Sequence, residues 1–138
     1  MLQESVDSLL DKYREYTNYI NVNIDSFDNE FIVKSNKPIL NIVIKNILKN
    51  ALEEVAENDS KMNYIKIGKA QGNKGIIFSN NIKKKVKVKQ VQEAGYSTKS
   101  NISNRGIGLY ICKNLIAKTG HKLNIESDKK EFRVSIIF

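Results

Sequence analysis

The sequence predicts a two-layer α/β sandwich: a mixed, mostly antiparallel sheet with helices on one face. Segments with helical periodicity alternate with pairs of short strand-like runs. Two of those pairs carry hairpin signatures, with Gly or Asn/Asp clusters between apolar runs. The chain has 138 residues, enough for a single domain that buries a core between two layers.

In chain order, residues 1–19 read as a helix, with Leu2, Val6, Leu9, Leu10, Tyr13 and Tyr16 at three- and four-residue steps. Asn21–Asp25 and Glu30–Val33 read as short strands around a turn at Ser26–Asn29. Pro38, the only proline, suits the first turn of a helix that runs to about Asn58. Its apolar stripe is Leu40, Val43, Ile44, Ile47, Ala51 and Val55. Asn63–Ala70 and Gly75–Ser79 form a hairpin across Gln71–Gly75. Residues 81–105 are polar and basic, with little periodicity. So long a stretch inside a compact domain reads as a lid or binding loop. A helix follows from Gly108 to about Lys118 and stops at Thr119-Gly120. Lys122–Glu126 and Phe132–Phe138 close the chain as a second hairpin.

Composition narrows the function classes. No apolar run approaches the ~18 residues that span a bilayer. The first residues carry acids early and lack an apolar h-region, so they do not read as a signal peptide. Cys112 is the only cysteine and His121 the only histidine, which excludes an internal disulfide and a Cys/His metal cluster and suits the cytosol. Net charge is +8, with lysines at 83, 84, 85, 87 and 89. Such a balance attracts polyanions, nucleotide phosphates among them, although a solvated face is the ordinary reading. Residues 83–89 contain no aromatic to stack bases, so nucleic acid is not expected.

Three constellations could carry chemistry. Asn46, Asn50 and Glu53 fall within ~60° of one another on the long helix, beside its apolar stripe, where polar groups meet the rim of a pocket. An Asn oxygen is a hard, neutral ligand suited to Mg²⁺, which takes its other ligands from waters and nucleotide phosphates. In an Asn-rich chain these could equally be surface amides. Asn104-Arg-Gly-Ile-Gly-Leu109 places two glycines where a helix opens, so backbone N–H groups can approach a phosphate closely; a plain turn is the alternative. Ile76–Asn81 is a strand running into a polar pair, whose side-chain oxygen could accept from an adenine amino group or merely make a turn.

Taken in order, these segments resemble the N, G1 and G2 boxes of the GHKL superfamily of ATP-binding domains, over residues 38–138. Ala94-Gly-Tyr-Ser-Thr-Lys99 followed by Asn104–Tyr110 is similar to the lid-to-G2 stretch of sensor histidine kinases, nearest the Agr-type peptide-pheromone receptor kinases. The resemblance implies a Bergerat-type sandwich with an ATP lid, binding ATP and Mg²⁺. It implies that Asn50 ligates the metal and that Asn46 is its upstream partner near the phosphates. Gly106, Gly108 and Leu109 would lie under the triphosphate, and Lys99 and Arg105 would neutralise its charge. Asn80 stands where the family's adenine-binding Asp is usual, and would accept the adenine N–H as a neutral group. Hydrolytic members carry a water-activating Glu at the place of Asn46. An Asn cannot act as a base, which favours transfer to a protein.

The phosphoacceptor histidine is then expected on an upstream dimerisation domain, with residues 1–19 as the connecting helix. A response regulator is served indirectly, and the domain is cytoplasmic, in a membrane-anchored parent. His121 is expected as a surface or turn residue, Cys112 as a core residue, and Glu53 and Glu54 as structural. Two alternatives stand: an anti-sigma-type serine/threonine kinase on the same fold, and a degenerate module that only docks a partner.

Overall fold

A computed structural model of the chain describes residues 8, 11, 20–24, 34–56, 63–70, 74–82 and 105–138, with the backbone alone at 20, 24, 56 and 105–107. Helix α1 spans Lys37–Ala56. Asn36 caps it: the Ile39 N–H donates to Asn36 Oδ1 at 3.1 Å, satisfying one of the amides that a helix start leaves open. Pro38 sits in the first turn, where its missing N–H costs nothing. Every residue of the predicted stripe is buried, and Leu48 and Leu52 widen it. Among the described residues no helix is long and apolar enough to cross a membrane.

Helix α2 spans Arg105–Lys118, starting three residues before the predicted Gly108. The penalty of ~1 kcal/mol per glycine is outweighed by burial of Leu109, Cys112 and Ile116, which are fully enclosed on one face. The helix ends as predicted. Gly120 takes φ 81°. Its N–H bonds to Ala117 O at 3.1 Å, and that of His121 to Ile116 O at 3.2 Å, a Schellman closure.

The strands are β1 (Ile20–Ile24), β2 (Asn63–Ala70), β3 (Gly75–Asn81), β4 (Lys122–Ser127) and β5 (Glu131–Ile137). They form one five-stranded sheet in the order β1-β2-β3-β5-β4. Among the described strands only β1–β2 is parallel; the other three pairings are antiparallel, as predicted. Register aligns the apolar side of the strands. Ile76 faces Ile136 and Phe78 faces Val134 across β3–β5, and Leu123 and Ile125 continue that side on β4. Both helices pack on it, giving the two-layer sandwich. Gly75 is required at the β3–β5 crossing: a Cβ there would stand 2.6 Å from Ile136 O.

The polar stretch 81–105 is shortened at both ends. Asn81 is the last residue of β3, and the Ile82 N–H bonds to Lys130 O at 2.9 Å, which extends the β3–β5 ladder. Arg105 belongs to α2. The rest of the predicted lid, the strand at residues 30–33 and the predicted helix at 1–19 lie outside the described residues, apart from Ser8 and Asp11, which are helical.

Candidate functional site

Asn46 and Asn50 lie one turn apart on α1, at the edge of its apolar stripe. Asn46 Nδ2 donates to Ile42 O at 3.0 Å, so its amide nitrogen is held against its own helix while Oδ1 lies toward Gly108. Asn50 is only 7% exposed, and its Nδ2 is buried with no hydrogen-bond partner among the described residues. A buried donor left unpaired costs about 1–3 kcal/mol, so a native fold that keeps one points to a missing acceptor.

The two helices run antiparallel. Cys112 Sγ lies 4.0 Å from Val43 O. One turn earlier, a Cβ built on Gly108 would stand 3.8 Å from Asn46 Oδ1 and 3.9 Å from Asn50 Nδ2. The first turn of α2 therefore opens onto the amide pair. Its N–H groups, which have no partner within the helix, carry partial positive charge, and no acidic residue in that turn cancels it. An anion seated there would take donors from α2 and from Asn50 Nδ2, while Asn46 Oδ1 offers an oxygen to a hard cation. No group of His, Cys, Asp and Glu among the described residues could hold a metal on its own. The donor set thus fits Mg²⁺ arriving with phosphate oxygens, and does not fit a closed protein cage.

The end of β3 forms the neighbouring wall. Asn80 shares the helix-facing side with Phe78 and is 3% exposed. Its Nδ2 donates to Asn81 O at 3.1 Å, which leaves Oδ1 as the accepting end. Asn81 Nδ2 donates to Asn63 Oδ1 at 2.9 Å, and Asn63 Nδ2 donates to Val55 O at 3.0 Å. The Tyr64 N–H donates to Asn81 Oδ1 at 2.7 Å. This amide chain ties the end of β3 to the C-terminal end of α1, the half that carries Asn50.

Of the sequence-predicted residues, Asn46, Asn50 and Gly108 are brought together. Arg105 and Gly106 open the same turn of α2. Asn80 lines the strand end beside α1. The Leu109 side chain is fully buried in the core, so only its backbone can meet a ligand. Lys99 lies outside the described residues. Glu53 pairs with Lys49 at 3.9 Å, a surface contact in keeping with a structural role. Cys112 is enclosed, and burial pushes its thiol up to about 12. His121 lies in the helix stop, its ring edge-on to Phe138 at 5.1 Å. Sequence reasoning did not find the bracing role of Asn63 and Asn81; a polar residue opening one strand opposite a polar residue closing its neighbour was the available signal.

On the other face of the sheet, Tyr64 Oη donates to Glu131 Oε2 at 2.5 Å. Burial and that carboxylate raise the phenol to about 12. Burial opposes ionisation of Glu131, but hydrogen bonds from Tyr64 and Arg133 outweigh it and hold the carboxyl below its usual range.

A family model described as a GHKL domain matches residues 37–138. A search of the curated proteins finds no match. Among solved structures, the catalytic domain of the histidine kinase ThkA, in a nucleotide-free form, is similar with TM-score 0.70 and 20% identity, over 98% of this chain and 91% of that one. The mycobacterial sensor histidine kinase MprB is similar with TM-score 0.62 and 14% identity, over 99% and 92%. At these identities the likeness is one of fold.

Proposed function

The chain belongs to the GHKL domain family, and from that premise we propose that it is the ATP·Mg²⁺-binding catalytic domain of a two-component sensor histidine kinase. The observation that carries the reading is the meeting of Gly108 with Asn46 and the orphaned Asn50 amide. Phosphates laid across the first turn of α2 supply the acceptor that Asn50 Nδ2 lacks among the described residues. Adenine sits toward the end of β3, where Asn80 Oδ1 accepts its amino group. Bound Mg²⁺ would neutralise phosphate charge, with Asn50 Oδ1 as its protein ligand and Asn46 Oδ1 beside it, while Asn50 Nδ2 keeps its phosphate acceptor.

The chain's own part in the transfer is positioning. α2 donates backbone N–H groups, the amides fix the phosphate chain, and Arg105 and Lys99 supply positive charge. Asn46, being neutral, takes no proton from water, so γ-phosphate transfer to a presented nucleophile is favoured over hydrolysis. His121 is not that nucleophile. It follows the C-terminal end of α2, whereas the phosphates meet the N-terminal end, about 20 Å away at 1.5 Å per residue. The acceptor is a histidine on a separate dimerisation domain of the same cytoplasmic apparatus in a membrane-anchored parent, which then supplies a response regulator. Asn80 in place of the usual acid favours the Agr-type receptor kinases within the family.

Calorimetric titration of a non-hydrolysable ATP analogue, with Mg²⁺ and then with EDTA, tests the site. Magnesium-dependent binding near one per chain is expected. A folded sample that takes up no nucleotide in either condition would refute the reading.

A further inference from the structure

Among the described residues β4 has one strand neighbour, β5, and so ends the sheet. The ladder fixes which of its backbone groups face outward. The Asp128 N–H bonds to Glu131 O at 3.0 Å, and that of Ile82 to Lys130 O at 2.9 Å. Bonded and non-bonded pairs alternate along an antiparallel ladder. Carried along the register, both bonds assign the β4–β5 hydrogen bonds to Lys122, Asn124 and Glu126. Leu123 and Ile125 therefore turn their N–H and C=O groups to the outer edge. A groove of about 400 Å³ runs beside that edge, between β4 and Lys113 and Ala117 of α2, so α2 does not cover it.

The strand's own sequence points to the occupant. β4 reads Lys122-Leu-Asn-Ile-Glu126, with opposite charges placed symmetrically about Asn124. Lys122 and Glu126 are both exposed. Antiparallel pairing with a second copy, about a two-fold axis through Asn124, sets Lys122 opposite the partner's Glu126 on both sides of the axis. The same register sets Leu123 opposite the partner's Ile125, and these are the residues whose backbone groups face outward. An axis through Ile125 would instead face Lys122 with the partner's Asp128. That carboxylate already accepts from the Lys130 and Glu131 N–H groups and, at 3.2 Å, from Arg133, whereas Glu126 meets Arg133 only at 3.6 Å and keeps its side chain 70% exposed.

We propose that β4 is a self-association edge: two copies of this chain pair antiparallel about Asn124 and join their sheets into one. The contact is small, and each copy carries a net charge of +8, so the dimer is transient. Charged residues can also blunt an edge that stays single. The two cases are separable, because only pairing makes the charges depend on one another.

The test is sedimentation equilibrium of the 138-residue chain at concentrations up to about 1 mM. It compares wild type, Lys122→Glu, Glu126→Lys and the double reversal, each shown by thermal melting to be folded. Each single reversal puts like charges opposite one another twice, and is expected to weaken the dimer about tenfold. The double reversal is expected to restore it. Amide exchange is expected to slow with concentration at Leu123 and Ile125 and not at Asn124. A chain that stays monomeric at the highest concentration overturns the proposal, and leaves the edge to an extended segment of another protein or to solvent. A dimer indifferent to the single reversals places the interface elsewhere, and one that the double reversal fails to rescue rules out the Asn124 register.

Discussion

Replacing Gly108 with alanine separates folding from binding at the proposed nucleotide cleft. The added Cβ would stand 3.8 Å from Asn46 Oδ1 and 3.9 Å from Asn50 Nδ2, ordinary contact distances that no neighbour need yield to. Gly108 is helical, and alanine is favoured over glycine in a helix by about 1 kcal/mol in the interior and by less in the first turn. A gain of about 0.5–1 kcal/mol raises Tm by roughly 2–5 °C for a domain of this size. The same methyl occupies the space between the two amides into which the proposed function brings phosphate oxygens. Displacing one such contact weakens ATP·Mg²⁺ binding at least tenfold, about 1.4 kcal/mol. Scanning calorimetry without nucleotide and titration calorimetry with it read the two effects separately. An unchanged affinity in a stabilised variant would refute the placement of the phosphates between the amides. A markedly lowered Tm would refute the spacing itself.

Asn50→Ala removes the orphaned amide; cooperative melting at an unchanged or raised temperature is expected, with loss of the magnesium-dependent heat of nucleotide binding. Gly75→Ala drives a Cβ to 2.6 Å from the Ile136 carbonyl and is expected to cost about 1–3 kcal/mol, read as a lower urea midpoint with unchanged slope. Gly120→Ala strains a left-handed residue with open space around it and costs about 1 kcal/mol by the same assay. Tyr64 has its folded pKa raised to about 12 from 10.0, so its hydrogen bond to Glu131 is fully present below pH 10 and is lost as pH climbs toward 12. The stability difference between wild type and Tyr64→Phe is therefore constant from neutral pH to about 10 and shrinks above it; a difference flat across that alkaline window would show that the phenol does not titrate there.

Local pattern carried most of the elements. The α1 stripe was legible because its residues recur at the helical period, and the hairpins because their turns are built from Gly, Asn and Asp close to apolar runs. The strand neighbours β3 and β5 were not legible, since Gly75 and Ile137 meet across most of the domain and no short window contains both. The start of α2 was placed late because two glycines argue locally against helix, while burial of Leu109 in the finished core decides for it. At the site, the spacing of Asn46 and Asn50 and the glycine pair were visible one by one. That they face each other across the α1–α2 seam is a tertiary fact, as is the lack of a partner for Asn50 Nδ2 among the described residues, because a sequence shows a donor and not whether its acceptor exists. The bridge from Asn81 through Asn63 to Val55 O likewise needs three elements in place.

The order β1-β2-β3-β5-β4 also divides the molecule by how quickly its parts can form. The β2–β3 and β4–β5 ladders are hairpins, of a kind that closes within about 1–10 μs. Helix α1 rests on the first hairpin and α2 on the second, so each half can assemble largely from nearby residues. Joining β3 to β5 closes a far longer loop and is the event that contact order marks as slow. The amide pair belongs to one half and the Gly108 turn to the other. A nucleotide bound between them as proposed would span the seam that unfolding must open, and so would act as a clamp on the rate at which the halves come apart.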